Sequence, residues 1–417
     1  MRFLFLSNLY PPAHLGGWEL MCRDIAGAFI DRGHQVEVLT SRFQKEMIEQ
    51  DDPNIHRELY LESDVHHYNP VDYFLQSQRN DERNFETLTR NIQDFQPDAV
   101  VVWGMWLLNP QLAALAEKLC PGRVAYYFCG YWPIEEDPHS QYWRAFVDNK
   151  RLPGWLSQRI SRQALARQEN RSKDQLEFRH VTCVSQAVLD ILREGGIPLP
   201  NATVTYNGID LDEFYAPLDQ KGFHTPLRLM YAGSLGANKG VDTAVQAVAL
   251  LSKKFSPGDV HLTLVGKGHP AFEDQLHQII GDAGIEQFVT MTGWIDRVEM
   301  PQVLHQHDVL LFPSRWPEPL ARMMMEGMAA GLTLVSTTTG GTAEFLEHRQ
   351  NSLTFEAGDA VDLAHQIDCL LSEPGLARRL AKAGQELALE QFDENRMYDE
   401  IEEFAVQAAQ QTSSVSP

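Results

Sequence analysis

Two carboxylates and an ammonium hold most of the chemistry that can be read from this sequence. In the stretch over 308–344, DVLLFPSRWPEPLARMMMEGMAAGLTLVSTTTGGTAE, Glu318 precedes a strongly helix-forming run and Glu326 lies inside it. The two are eight residues apart, about 80° of rotation and about 12 Å of rise on a helix, so they would not touch each other. They could instead grip two parts of one elongated ligand along the helix N-terminus, with the helix amides facing its phosphates. Lys239-Gly240 stands where a strand loop enters another helix. A mobile ammonium beside free helix amides suits a phosphate clamp. Plainer readings stay open: a solvated helix face for Glu326, a dipole partner for Glu318, and a simple turn for a lone Lys-Gly pair.

The elements that must position these groups follow from the same stretch. Residues 309–312 are a short apolar run ended by Pro313, the size of a buried parallel strand. Residues 315–319 contain two prolines and form a loop at that strand's carboxyl end. A helix is predicted over 320–330, rich in Ala and Met and stopped by Gly331, with the next strand beginning at 334–335 and Gly340-Gly341 turning the chain again. Ligands of open α/β sheets bind where strands end and helices begin.

Along the chain, strands are predicted over 2–7, 35–40, 98–103, 123–128, 180–184 and 203–206, and helices over 18–31, 82–95, 110–119, 155–177 and 185–194. After a linker at 217–226 the alternation resumes, with strands over 227–232, 261–265, 288–292, 309–312, 334–335 and 352–355 and helices between and after them. This pattern predicts an α/β protein of two doubly wound parallel sheets. Residues 42–80 are polar and read as a mobile, irregular excursion. Gly16-Gly17 could bring bare amides to a phosphate, or be a plain turn, since no G-x-G-x-x-G is present.

Composition narrows the function. A chain of 417 residues with formal charge −22 is large enough for two or three domains and lacks the overall basic face that nucleic acid requires. One basic stretch over 144–179, with Lys150, Arg151, Arg159, Arg162, Arg167, Arg171 and Lys173, reads as a solvated helix face or as a weak docking surface for an anionic acceptor or membrane headgroups. Five scattered cysteines without metal-ligand spacing point to a reducing compartment, hence the cytoplasm, with contact at the inner membrane face as a further option. No run is long enough to span a bilayer, and MRFLFLSNLYPP reads as a first strand rather than a signal peptide. His66-His67 lacks a third ligand in register. No metal and no cofactor are expected.

Pro313-Ser314, Glu318-Pro319, Glu326, Met328-Ala329, Gly331 and Gly340-Gly341-x-x-Glu344 together resemble the donor-site signature of glycosyltransferase family 4, the retaining GT-B transferases. The run over 7–41 and the segment over 206–214 resemble the family's opening and interdomain segments, so the likeness spans nearly the whole chain. It implies two Rossmann-like doubly wound domains facing a central cleft. Residues 1–207 would bind the acceptor and 208–391 the nucleotide-sugar donor, and 392–417 would form a helix crossing back to the first domain plus a disordered tail. It implies that Glu318 contacts the donor sugar and Glu326 the ribose hydroxyls. Lys239 and the Gly16-Gly17 loop would meet the diphosphate, Gly266 would lie beside the base, and Pro319, Leu320 and Ala321 would line the donor pocket.

Three positions depart from the family pattern. Ala321 replaces a glycine, and Ser234 stands where an arginine is frequent, with Arg315 as the candidate substitute for its charge. Cys129-Gly130 stands near a strand end where many relatives carry a histidine. Asp210-x-Asp212 mimics the metal-binding D-x-D of the other glycosyltransferase fold but sits at a domain junction.

The implied reaction is metal-independent transfer of a hexosyl group from a nucleotide-diphosphate sugar to an acceptor hydroxyl, with retention. Glu318 and Lys239 are the catalytic pair, and the acceptor is a carbohydrate, lipid-linked or small molecule. The alternatives are a non-catalytic sugar-binding or scaffold subunit, a nucleotide-sugar epimerase, and a phosphorylase.

Overall fold

The computed structural model describes residues 1–48, 52–147, 154–169, 175–218 and 226–410. The chain divides into two units, one of Met1–Val184, Val188–Thr205 and Tyr398–Pro417, the other of Ser185–Ala187 and Tyr206–Met397.

In the first unit the strands are β1 (Arg2–Ser7), β2 (Gln35–Ser41), β3 (Ile55–Leu59), β4 (Ala99–Gly104), β5 (Val124–Phe128), β6 (His180–Cys183) and β7 (Thr203–Val204). They form one parallel sheet in the order β3-β2-β1-β4-β5-β6-β7. Every residue of β4 and β5 is buried. Sheets covered on both faces select such continuous apolar runs.

The irregular excursion expected over 42–80 is corrected by the structure. It contains β3, and the helix expected from 82 begins much earlier, as Pro70–Phe95. The strand was hidden because an arginine occupies its inward face. Arg57 is buried, and its guanidinium donates to the carbonyls of Tyr10 (2.8 Å) and Pro11 (2.5 Å), so its charge is solvated by backbone. The helix start carries its own signal, Asn69 capping the amide of Val71 with Pro70 next. A helix over Pro138–Phe146, capped by Asp137, was also not expected. The helix anticipated over 155–177 runs over Gly154–Glu169.

The helical segment over 398–410 is clamped within this unit. Arg32 bonds Glu402 and Asp399, each at 2.5 Å, and His34 Nε2 lies 2.7 Å from Glu402. Burial alone would raise the Glu402 carboxyl, but hydrogen bonds from His34 and Arg32 outweigh it and hold it below its ordinary value. A carboxyl depressed on folding adds stability that is complete above its unfolded pKa and is lost as pH falls through the folded one. Glu402→Gln should therefore destabilise the protein by about 0.5–1 kcal/mol at neutral pH. In thermal melts the gap to wild type should close below about pH 4. A gap that stays constant into acid would show that the clamp is not ionic.

The second unit holds β8 (Leu227–Ala232), β9 (Val260–Val265), β10 (Val289–Gly293), β11 (Val309–Phe312), β12 (Thr333–Thr337) and β13 (Ser352–Phe355), parallel in the order β10-β9-β8-β11-β12-β13. Counted from its own first strand this is the 3-2-1-4-5-6 order, which reverses direction between β8 and β11. Those central strands are tied at their amino ends by a partly buried ion pair. Asp308, fully buried, accepts from the Arg228 amide (2.9 Å), Nε (3.2 Å) and Nη2 (3.0 Å). At the carboxyl ends they part: pairing runs only from Val309↔Leu229 to Leu310↔Met230. The crevice that opens beyond Leu310 is where a doubly wound sheet takes its ligand.

Candidate donor site

Two loops leave the parted strands and meet. After β11, Pro313 ends the ladder, and the amides of Arg315 (2.8 Å) and Trp316 (3.1 Å) both donate to the Asn238 carbonyl. That clip brings the turn Ala237–Lys239 against the loop over 313–319. Gly240, the residue between this turn and the helix Val241–Leu251, has φ +66°, and a Cβ there would overlap the Pro313 carbonyl oxygen. Gly340 packs equally closely on the backbone of Glu318, and the Gly341 amide donates to the Glu318 carbonyl at 2.8 Å.

The result is a charged contact at the crevice. Lys239 Nζ lies 2.5 Å from Glu318 Oε1, and the same oxygen accepts from Ser314 Oγ at 2.9 Å. The glutamate side chain is 11% exposed and the lysine 28%, so the pair is charge-assisted and partly desolvated. Both line a cavity of about 180 Å³ with Tyr231, Gly233, Ser234, Ser314, Ala321 and Arg322. Burial, and secondarily the Glu318 charge, push the Tyr231 phenol upward. It stays protonated and donates to the Ser234 carbonyl at 2.7 Å, holding the loop after β8.

Of the residues anticipated for donor binding, the structure brings Ser234, Lys239, Glu318 and Ala321 to one cavity. Gly266 supports it from behind, packed on the Gly233 carbonyl. Pro319 turns its carbonyl to Ser185 Oγ (2.6 Å), and Leu320 is a core residue. Gly16 and Gly17 belong to the first unit, where Gly16 caps the helix Gly17–Asp31.

Arg315 is held beside the cavity rather than in it. Its Nη2 bonds Asp242 (2.9 Å) and Thr243 (2.7 Å), its Nη1 bonds the Ala237 carbonyl (3.2 Å), and it does not line the cavity. The arginine that lines the cavity is Arg322, a residue that sequence reasoning passed over as helix composition.

Glu326 is placed differently as well. The helix runs over Arg322–Ala329, beginning later than expected because Ala321 is extended at its N-cap. Glu326 therefore lies about one turn inside it. Its side chain is 1% exposed, 2.9 Å from Arg297 Nη1 and 3.7 Å from Arg322 Nε, and it does not line the cavity. Lys239 and Glu318 thus meet directly, while Glu326 pairs with Arg297 and lies 3.7 Å from Arg322.

Other sequence signals resolve into structural roles. Asp210 caps the short helix Leu211–Phe214 through the Glu213 amide (3.1 Å). The amides of His66 and His67 both donate to Asp64. Among the described residues no group of three or more His, Cys, Asp or Glu is placed to hold a metal ion. Cys129 is buried, which pushes its thiol well up, and a Cβ at Gly130 would come within 3.3 Å of the Trp18 ring. An indole fills the space beside these two residues.

In the basic stretch Arg144 pairs with Glu136 at 2.5 Å, and Arg159 and Arg162 are exposed. Lys150, Arg151, Arg171 and Lys173 lie outside the described residues, as does the side chain of Arg167. Asp51, part of the linker and the residues after 410 lie outside them too. Among the described residues no helix is long and apolar enough to cross a membrane.

Two family models match the chain, "Glycosyltransferase Family 4" over residues 15–213 and "Glycosyl transferases group 1" over residues 226–373. The chain is similar to a glycogen synthase of Mycobacterium tuberculosis, 30% identical over 247 residues that cover 58% of this chain and 57% of that one. It is also similar to the lipopolysaccharide core biosynthesis glycosyltransferase LpsE of Rhizobium meliloti, 33% identical over 171 residues covering 41% and 47%. The chain spans about half the length of the curated relatives it matches. Among solved structures, Anabaena HepE in complex with UDP-glucose superposes with a TM-score of 0.68 at 20% identity, covering 98% of this chain and 100% of that one. That likeness shows the fold, GT-B, with two parallel-sheet α/β units.

Proposed function

The chain belongs to glycosyltransferase family 4, and from that premise we propose that it transfers a hexosyl group from a nucleotide-diphosphate sugar to an acceptor hydroxyl, with retention and without a metal. The observation that carries the reading is the convergence of Lys239 and Glu318 on one cavity at the parted ends of β8 and β11. Negative charge develops on the departing diphosphate. An ammonium already held in a partly desolvated cavity stabilises that charge without reorganisation at the moment of bond breaking. When donor enters, Glu318 shares Lys239 with the diphosphate and offers its other oxygen to the sugar hydroxyls, and the amides opening the helix Arg322–Ala329 complete the anion's surroundings. The leaving phosphate accepts the acceptor's proton, so no protein base is required. The acceptor is a carbohydrate, a lipid-linked sugar or a small molecule, and the site is reached from the cytoplasm. The UDP and UDP-glucose complexes of HepE support a nucleotide-sugar donor.

A thermal-shift panel of UDP, GDP, ADP and TDP sugars tests this. A donor at about 100 times its dissociation constant should add about 2.7 kcal/mol of apparent stability. Stabilisation by none of them would sink the proposal. Release of free epimerised sugar without acceptor would favour the epimerase instead, and binding without any turnover would favour the sugar-binding subunit.

Glu326 enters as the ribose partner. Glu326→Ala should weaken nucleotide binding about 10- to 100-fold by calorimetry, the range for a hydrogen bond to a charged group. Wild-type affinity in that variant would exclude the carboxylate from the site.

A further inference from the structure

We infer that Arg322 is the second cationic contact for the donor's diphosphate and sets the preference of the cavity for diphosphates over monophosphates. This rests on the donor-site reading above. A diphosphate carries more negative charge than one ammonium neutralises, and Lys239 is already engaged by Glu318 at 2.5 Å. Among the cavity-lining residues the only other cation is Arg322.

Its surroundings leave one donor of the guanidinium unmet. The Arg322 side chain is 15% exposed, and its Nε is buried without a hydrogen-bond partner among the described residues. Of the carboxylates around it, Glu326 stands 3.7 Å away, beyond hydrogen-bond distance, and sits closer to Arg297 at 2.9 Å, while Glu213 acts on it electrostatically. A poorly solvated guanidinium with an unmet donor is costly unless a partner arrives. Its planar fork matches two phosphate oxygens, which an ammonium does not.

The competing cation is excluded by its own bonds. Arg315 is engaged by Asp242, Thr243 and the Ala237 carbonyl. Ser234 lines the cavity but brings no charge. Arg322 follows Ala321 and opens the helix that carries Glu326, so one residue both lines the cavity and lies 3.7 Å from the buried carboxylate. Binding of the diphosphate draws Arg322 toward the cavity and leaves Glu326 to Arg297 and the ribose.

The test compares dissociation constants for UDP, GDP, ADP and TDP with those for the matching monophosphates, by calorimetry at two salt concentrations. The proteins are the full-length wild type, Arg322→Gln and Arg322→Lys. Arg322→Gln should weaken the preferred diphosphate about tenfold, the loss of one charge-assisted contact, and move its monophosphate less than about twofold. The salt dependence of diphosphate binding should fall with it. Arg322→Lys should restore part of the diphosphate preference, which general loosening of the helix would not allow. An unchanged diphosphate-to-monophosphate ratio in Arg322→Gln overturns the inference while leaving the donor-site reading intact. So does an Arg315→Gln variant that loses the preference while Arg322→Gln keeps it. A wild-type protein that binds no nucleotide overturns the underlying reading, and the inference with it.

Discussion

Replacing Lys239 by alanine should lower turnover by about two to three orders of magnitude while changing the Michaelis constant for donor far less, the pattern of a group that acts on the transition state. In the ground state the ammonium is shared between Glu318 and the ligand, so removing it costs little binding. In the transition state the breaking bond loads negative charge onto the diphosphate, and the ammonium's attraction grows as the charge grows. The fold should survive, because Glu318 retains its bond from Ser314 Oγ. Glu318→Gln should also lose turnover, but by misplacing the sugar rather than by exposing the leaving group. Steady-state kinetics of transfer, or of slow donor hydrolysis where the acceptor is not in hand, separate the two parameters. Wild-type turnover in Lys239→Ala would remove the lysine from the chemistry.

The second large effect is expected one residue along, where nothing chemical is changed. Gly240→Ala should destabilise the protein by about 2–4 kcal/mol and abolish transfer, through strain at positive φ and overlap with a neighbouring backbone. The obstructing atoms are the carbonyl of Pro313, with its carbon 2.9 Å from the new Cβ. They cannot rotate aside as a side chain would. Relief requires the Ala237–Lys239 turn to lift from the loop over 313–319, which separates Lys239 from Glu318. Gly281→Ala is the comparison: it lies in the helix Pro270–Ala283, a Cβ there meets nothing within 4 Å, and it should stabilise by about 0.5–1 kcal/mol. Urea unfolding of both variants checks the pair. Equal stabilities would mean that the approach of the two loops is not tight.

The sequence and the structure divide responsibility along physical lines. Strands such as β1, β8 and β11 and the turn at Gly240 were legible because their signals are local. Apolar runs, prolines and glycines act on the residues beside them, and the resulting alternation leaves few topologies. Residue types at Glu318 and Lys239 were legible for the same reason. Their convergence on one donor was expected from the resemblance, and the structure adds a direct contact between them. That contact spans 79 residues of chain and depends on two strands parting beyond Leu310.

Elsewhere local signals misled. β3 hid behind Arg57, whose charge is met by the carbonyls of Tyr10 and Pro11, far away in sequence. Arg315 and Arg322 offer the same guanidinium seven positions apart. Only packing decided that Asp242 and Thr243 engage Arg315 while Arg322 lines the cavity. Glu326 likewise reads as a surface helix position until Arg297 closes over it. Periodicity belongs to neighbours along the chain, so the sequence by itself determined the two α/β sheets and the chemical groups at hand. The direction a charged side chain takes depends on which counter-charges the folded sheet carries to it, and that only the tertiary structure decided.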